Sequence, residues 1–226
     1  MRTLVDRVGQ RLAGEHIDVS AWRLFPDAET LAVMARRELD VRADGDTITV
    51  VSPDRPGLFT SVAGVLAVHG LDILSAEAHS DEQGMAASRF HLRDEPRDGW
   101  AEVLRDVEHA FAGSFDIDTR LRERVATYSR RRQESALGPQ PPRVRFDDTG
   151  SSNATVVEVH APDRIGLLRD ITRVFAEKRL DIRHARIMTL GDNVVDTFYL
   201  CESDGRKIVD VPRRDEVEQA LLVVMS

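Results

Sequence analysis

An internal repeat constrains the fold of this chain more than any other sequence feature. Two segments align without gaps and share 11 of 29 positions: SPDRPGLFTSVAGVLAVHGLDILSAEAHS at 52–80 and APDRIGLLRDITRVFAEKRLDIRHARIMT at 161–189. The identities concentrate in two blocks, Pro-Asp-Arg-x-Gly-Leu (Pro53–Leu58 and Pro162–Leu167) and Leu-Asp-Ile (Leu71–Ile73 and Leu180–Ile182). The copies lie 109 residues apart, which is too long for a solenoid repeat. The chain is therefore expected to contain two copies of one small domain.

Each copy shows the same order of local patterns. A β-rich run comes first, at Thr47–Ser52 and Thr155–Ala161, and apolar residues at helical spacing follow the turn. The later predicted elements are a strand, a hairpin, a strand and a helix: 71–79, Asp81–Gly84, Met85–Leu92 and Trp100–Phe111, then 180–189, Gly191–Asn193, Val194–Leu200 and Arg213–Val223. The order β-α-β-β-α is most of a ferredoxin-like unit. These patterns predict an α+β protein whose antiparallel sheets carry helices on one face.

The remaining strand of each unit has two candidate positions. Phe115–Leu121 could supply it in the first copy, but the second copy has almost no sequence after its last predicted helix. Both copies carry a strand-like run before the first strand, Leu39–Ala43 and Pro142–Phe146, each followed by a polar turn. We expect this leading strand to fill the sheet edge, which makes the repeat ββαββα.

The repeats divide the chain into four predicted parts. These are a helical N-terminal segment (1–37, with helices at Leu4–Ala13 and Ala28–Arg37), a first domain (38–117), a linker (118–141) and a second domain (142–226). The linker begins with the basic stretch Arg120–Arg132. A charge run of this kind is more often a solvated helix than a phosphate or nucleic-acid site.

Composition narrows the class of protein. With 42% hydrophobic and 31% charged residues, the chain matches globular proteins rather than disordered ones. No apolar run reaches the length of a membrane span, and the first residues lack the features of a secretory signal. The single cysteine, Cys201, excludes an internal disulfide and fits a reducing cytoplasm. The net charge of −8 argues against general nucleic-acid binding. We therefore expect a cytoplasmic protein.

The sequence contains none of the catalytic or metal-binding motifs that we sought. The 7 histidines show no metal-ligand spacing, and neither a P-loop nor a Gly-x-Ser-x-Gly elbow is present. The run Gly150–Ser152 is not followed by the paired carboxylates of a nucleotidyltransferase, and no adjacent His-Asp pair suggests a phosphohydrolase. We expect this chain alone to be no enzyme and to hold neither a metal nor a cofactor. Cys201 is expected to be a small buried or half-buried residue.

The turn between the first strand and the first helix is the strongest candidate for a binding site. Its glycine allows close approach to the backbone, and the first amides of the next helix favour a carboxylate. Its arginine could add charge, and its aspartate could bind an ammonium group or cap the helix. The turn therefore suits a free amino acid, although a purely structural capping turn is the alternative. Asp72 and Asp181 could lie near such a ligand but are more typical of helix-to-strand turns.

The Pro-Asp-Arg-x-Gly-Leu turn, its helix and the Leu-Asp-Ile strand resemble ACT domains, small ferredoxin-like modules that commonly bind amino acids. Pro53–Ser80, Phe115–Arg132 and Pro142–Leu200 further resemble the C-terminal part of PII uridylyltransferase/uridylyl-removing enzymes, in the style of actinobacterial relatives in which PII is adenylylated instead. The VRFDD…TVVEV lead-in and the VVDTFYL strand single out this family. The resemblance covers about residues 38–226.

The resemblance implies a tandem ACT module that senses glutamine in nitrogen regulation. In the family, a nucleotidyltransferase domain modifies the PII signalling protein and a His-Asp phosphohydrolase domain reverses the modification. Neither has a counterpart in this sequence, and the parent enzyme would supply the magnesium and nucleoside triphosphate. The implied sensor residues are Asp54, Arg55, Gly57 and Leu58 in the first loop and Asp163, Arg164, Gly166 and Leu167 in the second. The variable position is Pro56 in one loop and Ile165 in the other, which makes the second loop less rigid.

The sequence is also compatible with two other functions. The chain could be a freestanding ACT-repeat protein that binds an amino acid and acts on a partner. It could also be a structural pair whose loops serve packing and whose sheets associate edge to edge, within or between chains. In that last case no amino acid binds, and replacing Gly57 or Gly166 with alanine affects stability only.

Overall fold

Each repeat folds into a four-stranded antiparallel sheet with two helices on one face. The computed structural model describes residues 25–128, 140–190 and 192–226. The first part contains α1 (Ala28–Met34), β1 (Asp40–Asp44), β2 (Thr47–Pro53), α2 (Leu58–His69), β3 (Ile73–Ser80), β4 (Met85–Leu92), α3 (Ala101–Phe111) and α4 (Ile117–Tyr128). The second contains β5 (Arg143–Asp147), β6 (Thr155–Pro162), α5 (Leu167–Glu177), β7 (Leu180–Arg186), β8 (Thr189–Leu190), β9 (Asn193–Glu202) and α6 (Val211–Met225).

The leading strands lie at the two outer edges of the sheet, which confirms the ββαββα repeat. Among the described strands, β1 pairs only with β2, and β5 only with β6. The alternative position for a strand, Phe115–Leu121, is wrong because Ile117–Tyr128 is helical. Asp116 begins this helix by accepting hydrogen bonds from the Thr119 amide (3.0 Å) and hydroxyl (2.7 Å). Ile117 and Leu121 then lie four residues apart on one helix face.

The two sheets join into one through the pairing of β3 with β7. The strand order is β1-β2-β4-β3-β7-β9-β6-β5, with β8 added on β9. Ala76 lies opposite Ala185 in this antiparallel pair, and the two are equivalent positions of the repeat because they are 109 residues apart. A local two-fold axis therefore relates the repeats at this pair. The edge-to-edge association expected for ACT domains occurs here within one chain.

One hydrophobic core fills the space between the joined sheet and the helices on one of its faces. Phe59 packs against Phe90 with ring centroids 4.6 Å apart, and Phe175 packs against Phe198 at 5.0 Å. Helices α2 and α5 contact each other above the junction of the two sheets. The core is therefore continuous across both repeats.

Helix α1 covers the opposite face of the first repeat. Val33 and Met34 pack there against residues of β2 and β4. Asp27 begins the helix by accepting a hydrogen bond from the Thr30 amide and pairs with Arg89 at 2.7 Å, and together these contacts hold the pKa of Asp27 well below its usual range. The predicted helix at Leu4–Ala13 lies outside the described residues.

Three further features bear on the sequence predictions: the burial of Cys201, the second hairpin and the character of the helices. Cys201 is buried, as expected, and its thiol donates to the Asn153 carbonyl. Gly191, from the predicted hairpin Gly191–Asn193, lies outside the described residues. Within the described ranges, no helix combines the length and the apolar character needed to cross a membrane.

Candidate functional site

The two repeated turns adopt the same backbone conformation. Gly57 and Gly166 begin helices α2 and α5 with φ of 84° and 81°, a left-handed conformation that favours glycine. Leu58 and Leu167 follow them and are buried in the core. No side chain caps either helix, so neither loop aspartate has the capping role considered from the sequence. The Leu58 and Leu167 amides donate to the Arg55 and Arg164 carbonyls (3.3 and 3.1 Å), so a ligand would reach the amides that follow them in each helix.

Each loop is held to its own repeat by two further contacts. The amides of Asp54 and Asp163 donate to the carbonyls of Gly84 (2.9 Å) and Asp192 (2.8 Å), which fixes each loop against the neighbouring hairpin. Arg55 donates to the Phe111 carbonyl at the end of α3 (3.0 Å) and lies over the Phe111 ring.

Arg164 repeats this arrangement in the second copy, since it donates to the Val224 carbonyl in the last turn of α6 (2.7 Å). Both loop arginines thus tie the turn to the last helix of their repeat, as basic groups do at helix C-termini. Their predicted contact with a ligand stays a prediction.

The joined sheet places each loop opposite the Leu-Asp-Ile block of the other repeat. The first cleft, of about 610 Å³, lies between the loop 54–60 and the segment 179–183. The second cleft, of about 260 Å³, lies between the loop 163–169 and the segment 70–74. A ligand in either cleft would contact both repeats at once. The two most strongly repeated sequence blocks therefore meet across the two-fold axis.

The first cleft combines carboxylates with basic groups. Asp181 reaches it from the second repeat, and burial together with the nearby Asp54 raises its pKa, against the lowering effect of Arg183 at 3.8 Å. His79 also lines this cleft, and burial lowers its pKa, so the ring is neutral at pH 7. A zwitterion would find both an acidic and a basic surface here.

The second cleft contains a buried carboxylate, Asp196 on β9. Only 1% of this residue is exposed, and burial raises its pKa to about 7 although the Met188 amide donates to it at 3.2 Å. The nearby Asp163 raises the pKa further. Ser88 occupies the corresponding place in the first cleft, since Ser88 opposes Val50 across the sheet as Asp196 opposes Val159.

Sequence reasoning found one side of each cleft and missed the other. Asp72 and Asp181, assigned mainly to turns, both line clefts, and Asp72 is paired with Arg93 at 3.4 Å. Arg179 and Asp196 were not singled out. The recurrence of Leu-Asp-Ile was a usable signal for the missing side, because a second invariant block between the repeats indicates a second shared role.

The groups that line the two clefts suit the binding of a charged ligand. In the three described ranges, no three His, Cys, Asp or Glu side chains lie close enough together to hold a metal ion. What the clefts offer is helix amides, carboxylates and guanidinium groups at the contact between two repeats.

The sequence pattern of the ACT domain matches residues 47–99 and 155–221, more than half of the chain. The chain therefore belongs to the ACT domain family and contains two copies of the domain. Each matched region contains one of the repeated loops and the Leu-Asp-Ile block of the same repeat.

The chain is homologous to curated proteins named bifunctional uridylyltransferase/uridylyl-removing enzyme. It is 36% identical over 185 residues to the protein of Gluconobacter oxydans, which covers 79% of this chain and 19% of the relative. The proteins of Erythrobacter litoralis and Azospirillum brasilense are each 32% identical, covering 84% and 91% of this chain and 21% and 24% of their own length. The chain spans about a fifth of these relatives.

Among solved structures, the aspartate kinase from Synechocystis is similar over 77% of this chain and 26% of its own chain. The TM-score is 0.39 and the sequence identity 14%. A similarity of this strength carries no information about function.

Proposed function

We propose that this chain is a regulatory module that binds a free amino acid between its two ACT domains. One observation carries the proposal: each Asp-Arg-x-Gly loop faces the Leu-Asp-Ile block of the other repeat across a cleft. A ligand held there contacts both repeats, so its binding depends on how the repeats are placed. An effector acts only if it binds one arrangement better than another, and a site between two repeats meets this condition.

The chemistry of the clefts supports a zwitterionic ligand. The amides that follow Leu58 and Leu167 in the first turns of α2 and α5, together with the helix dipoles, favour a carboxylate. Asp54 and Asp181 in the first cleft, and Asp163 in the second, offer carboxylates to an ammonium group. Glutamine is the amino acid that we propose, on the strength of the resemblance to PII-modifying enzymes.

We further propose that the module belongs to nitrogen regulation in the cytoplasm. The glutamine level would pass from these domains to catalytic domains of a longer enzyme that modifies the PII protein. Nucleotide transfer, with its magnesium ion and nucleoside triphosphate, would take place in those other domains. This chain alone would bind and relay but catalyse nothing.

A thermal-shift assay with a panel of free amino acids tests amino-acid binding. Glutamine at 100 times its dissociation constant is expected to stabilise the chain by about 2.7 kcal/mol, because it binds only the folded state. Asparagine and glutamate at the same concentration are expected to give smaller shifts. A double variant, Asp54→Asn with Asp163→Asn, should lose most of the glutamine shift.

Asp98→Asn is the matched control, because Asp98 is exposed and lies outside both clefts. It should keep the full glutamine shift. If no amino acid shifts the transition of the native chain, the binding proposal fails and the structural pair of ACT domains becomes the better account.

A further inference from the structure

The two clefts are built from equivalent residues of the two repeats, but the surroundings of their loop glycines differ. A methyl group added at Gly57 would meet no atom of the described residues within 4 Å, whereas at Gly166 it would lie 3.4 Å from Cδ1 of Leu121 on helix α4. Asp118 anchors the same helix to α5 through Arg169 at 2.7 Å. Helix α4 therefore packs over the second loop. Most side chains of the basic stretch are exposed on this helix, as expected of a solvated helix, while Leu121 is buried.

The residue that ends the first helix of each repeat also differs. Gly70 ends α2 with φ of 71°, and the equivalent Arg179 follows α5 with φ of 55°. A residue with a Cβ is disfavoured in this conformation by about 1 kcal/mol or more. Arg179 thus keeps an unfavourable backbone where glycine serves in the other copy. Its side chain lines the first cleft.

An arginine from α4 takes the corresponding place in the second cleft. The Arg124 guanidinium lies against Gly70, where any Cβ would collide with it, and donates to the Val68 carbonyl at 3.0 Å. The Arg124 guanidinium is thus already hydrogen-bonded at the end of α2. Arg179 has no side-chain hydrogen bond or ion pair to any described residue, so its charge is available to a ligand.

The charge at the two helix N-termini also favours a carboxylate in the first cleft over the second. The first turn of α5 contains Asp170, which pairs with Arg164 at 2.7 Å and offsets the positive end of the helix. The first turn of α2 contains no acidic residue. The positive end of α2 is therefore not offset by an acidic residue of its own first turn.

We propose that one amino acid binds per chain, in the first cleft, and that Arg179 contacts its carboxylate. The inference rests on the proposed function and assigns it to one of the two clefts. The carboxylate is held between the amides of α2 and the Arg179 guanidinium, and the ammonium group is held by Asp54 and Asp181. Helix α4 packs against the second loop and places Arg124 in the smaller second cleft, which serves to join the repeats.

Calorimetric titration of the 226-residue chain with L-glutamine tests this assignment. We expect a stoichiometry of one ligand per chain. Arg179→Gly should weaken binding about tenfold or more, since a charge-assisted contact is lost. The same substitution should leave the thermal midpoint unchanged or raise it, because glycine relieves the backbone strain. If Arg179 had only a structural role, weaker glutamine binding would not occur together with an unchanged or higher thermal midpoint.

Asp54→Asn and Asp163→Asn form a matched pair for the two clefts. We expect Asp54→Asn to weaken glutamine binding about tenfold and Asp163→Asn to change it less than about twofold. Two ligands per chain, or equal effects of the two variants, would overturn the assignment and leave the proposed function standing. No binding of any amino acid by the native chain would overturn both.

Discussion

Replacing Ala185 with aspartate is expected to lower the free energy of unfolding by more than about 3 kcal/mol. Ala185 is fully buried opposite Ala76, at the point where the two sheets join beneath α2 and α5. An aspartate there would bury a carboxylate without a partner at the centre of the shared core. Chemical denaturation followed by circular dichroism measures the effect.

Ala101→Asp is the control for this substitution. Ala101 is exposed at the first position of α3, where an acidic residue is neutral or slightly stabilising, so the change should stay within about 0.5 kcal/mol. A native-like unfolding midpoint for Ala185→Asp would show that the two sheets are not joined at this pair in solution.

Stability is expected to fall as the pH rises from about 4 to about 7 because of Asp196. Its pKa is about 7 in the folded chain and 3.8 ordinarily, so the folded state holds a proton that the unfolded state has lost in this window. The stabilising contribution is complete below the unfolded pKa and is lost as the pH passes the folded pKa. Linkage converts this shift into roughly 4 kcal/mol.

Asp196→Asn removes the titrating group and isolates its effect. The difference in unfolding free energy between the variant and the native chain should grow in favour of the variant from pH 4 to pH 8. Asp72→Asn is the control, since Asp72 is largely exposed and its surface ion pair contributes little, so this change should alter the unfolding free energy by less than about 1 kcal/mol. A flat curve for Asp196→Asn would mean that Asp196 is ionised without cost in the folded chain.

Local patterns predicted most of the elements because they are encoded by nearby residues. The strand at Met85–Leu92 was placed at its observed bounds, and the leading strands were placed within one residue. The left-handed glycines of both loops follow from the Asp-Arg-x-Gly pattern. These features depend on residue alternation and turn geometry, which a single sequence displays.

The remaining features depend on contacts between distant residues. Nothing in the local sequence of Ala76 or Ala185 states that β3 pairs with β7, because any exposed strand edge could accept a partner. The repeated Leu-Asp-Ile block hinted at a shared role, but that Asp181 faces the loop of the other repeat follows from this pairing. The contacts of Ile117 and Leu121 with the repeats were not predicted either, because the many charges of α4 surround these two apolar residues in the sequence.

Amide chemical-shift mapping of the ¹⁵N-labelled chain with L-glutamine tests the central claim most directly. Binding between the two ACT domains predicts that the largest shifts occur together at residues 57–60 and 180–183, on opposite sides of the first cleft. Shifts confined to one repeat, shifts on the sheet face covered by α1, or no shifts at saturating glutamine would contradict a ligand site shared by the two repeats.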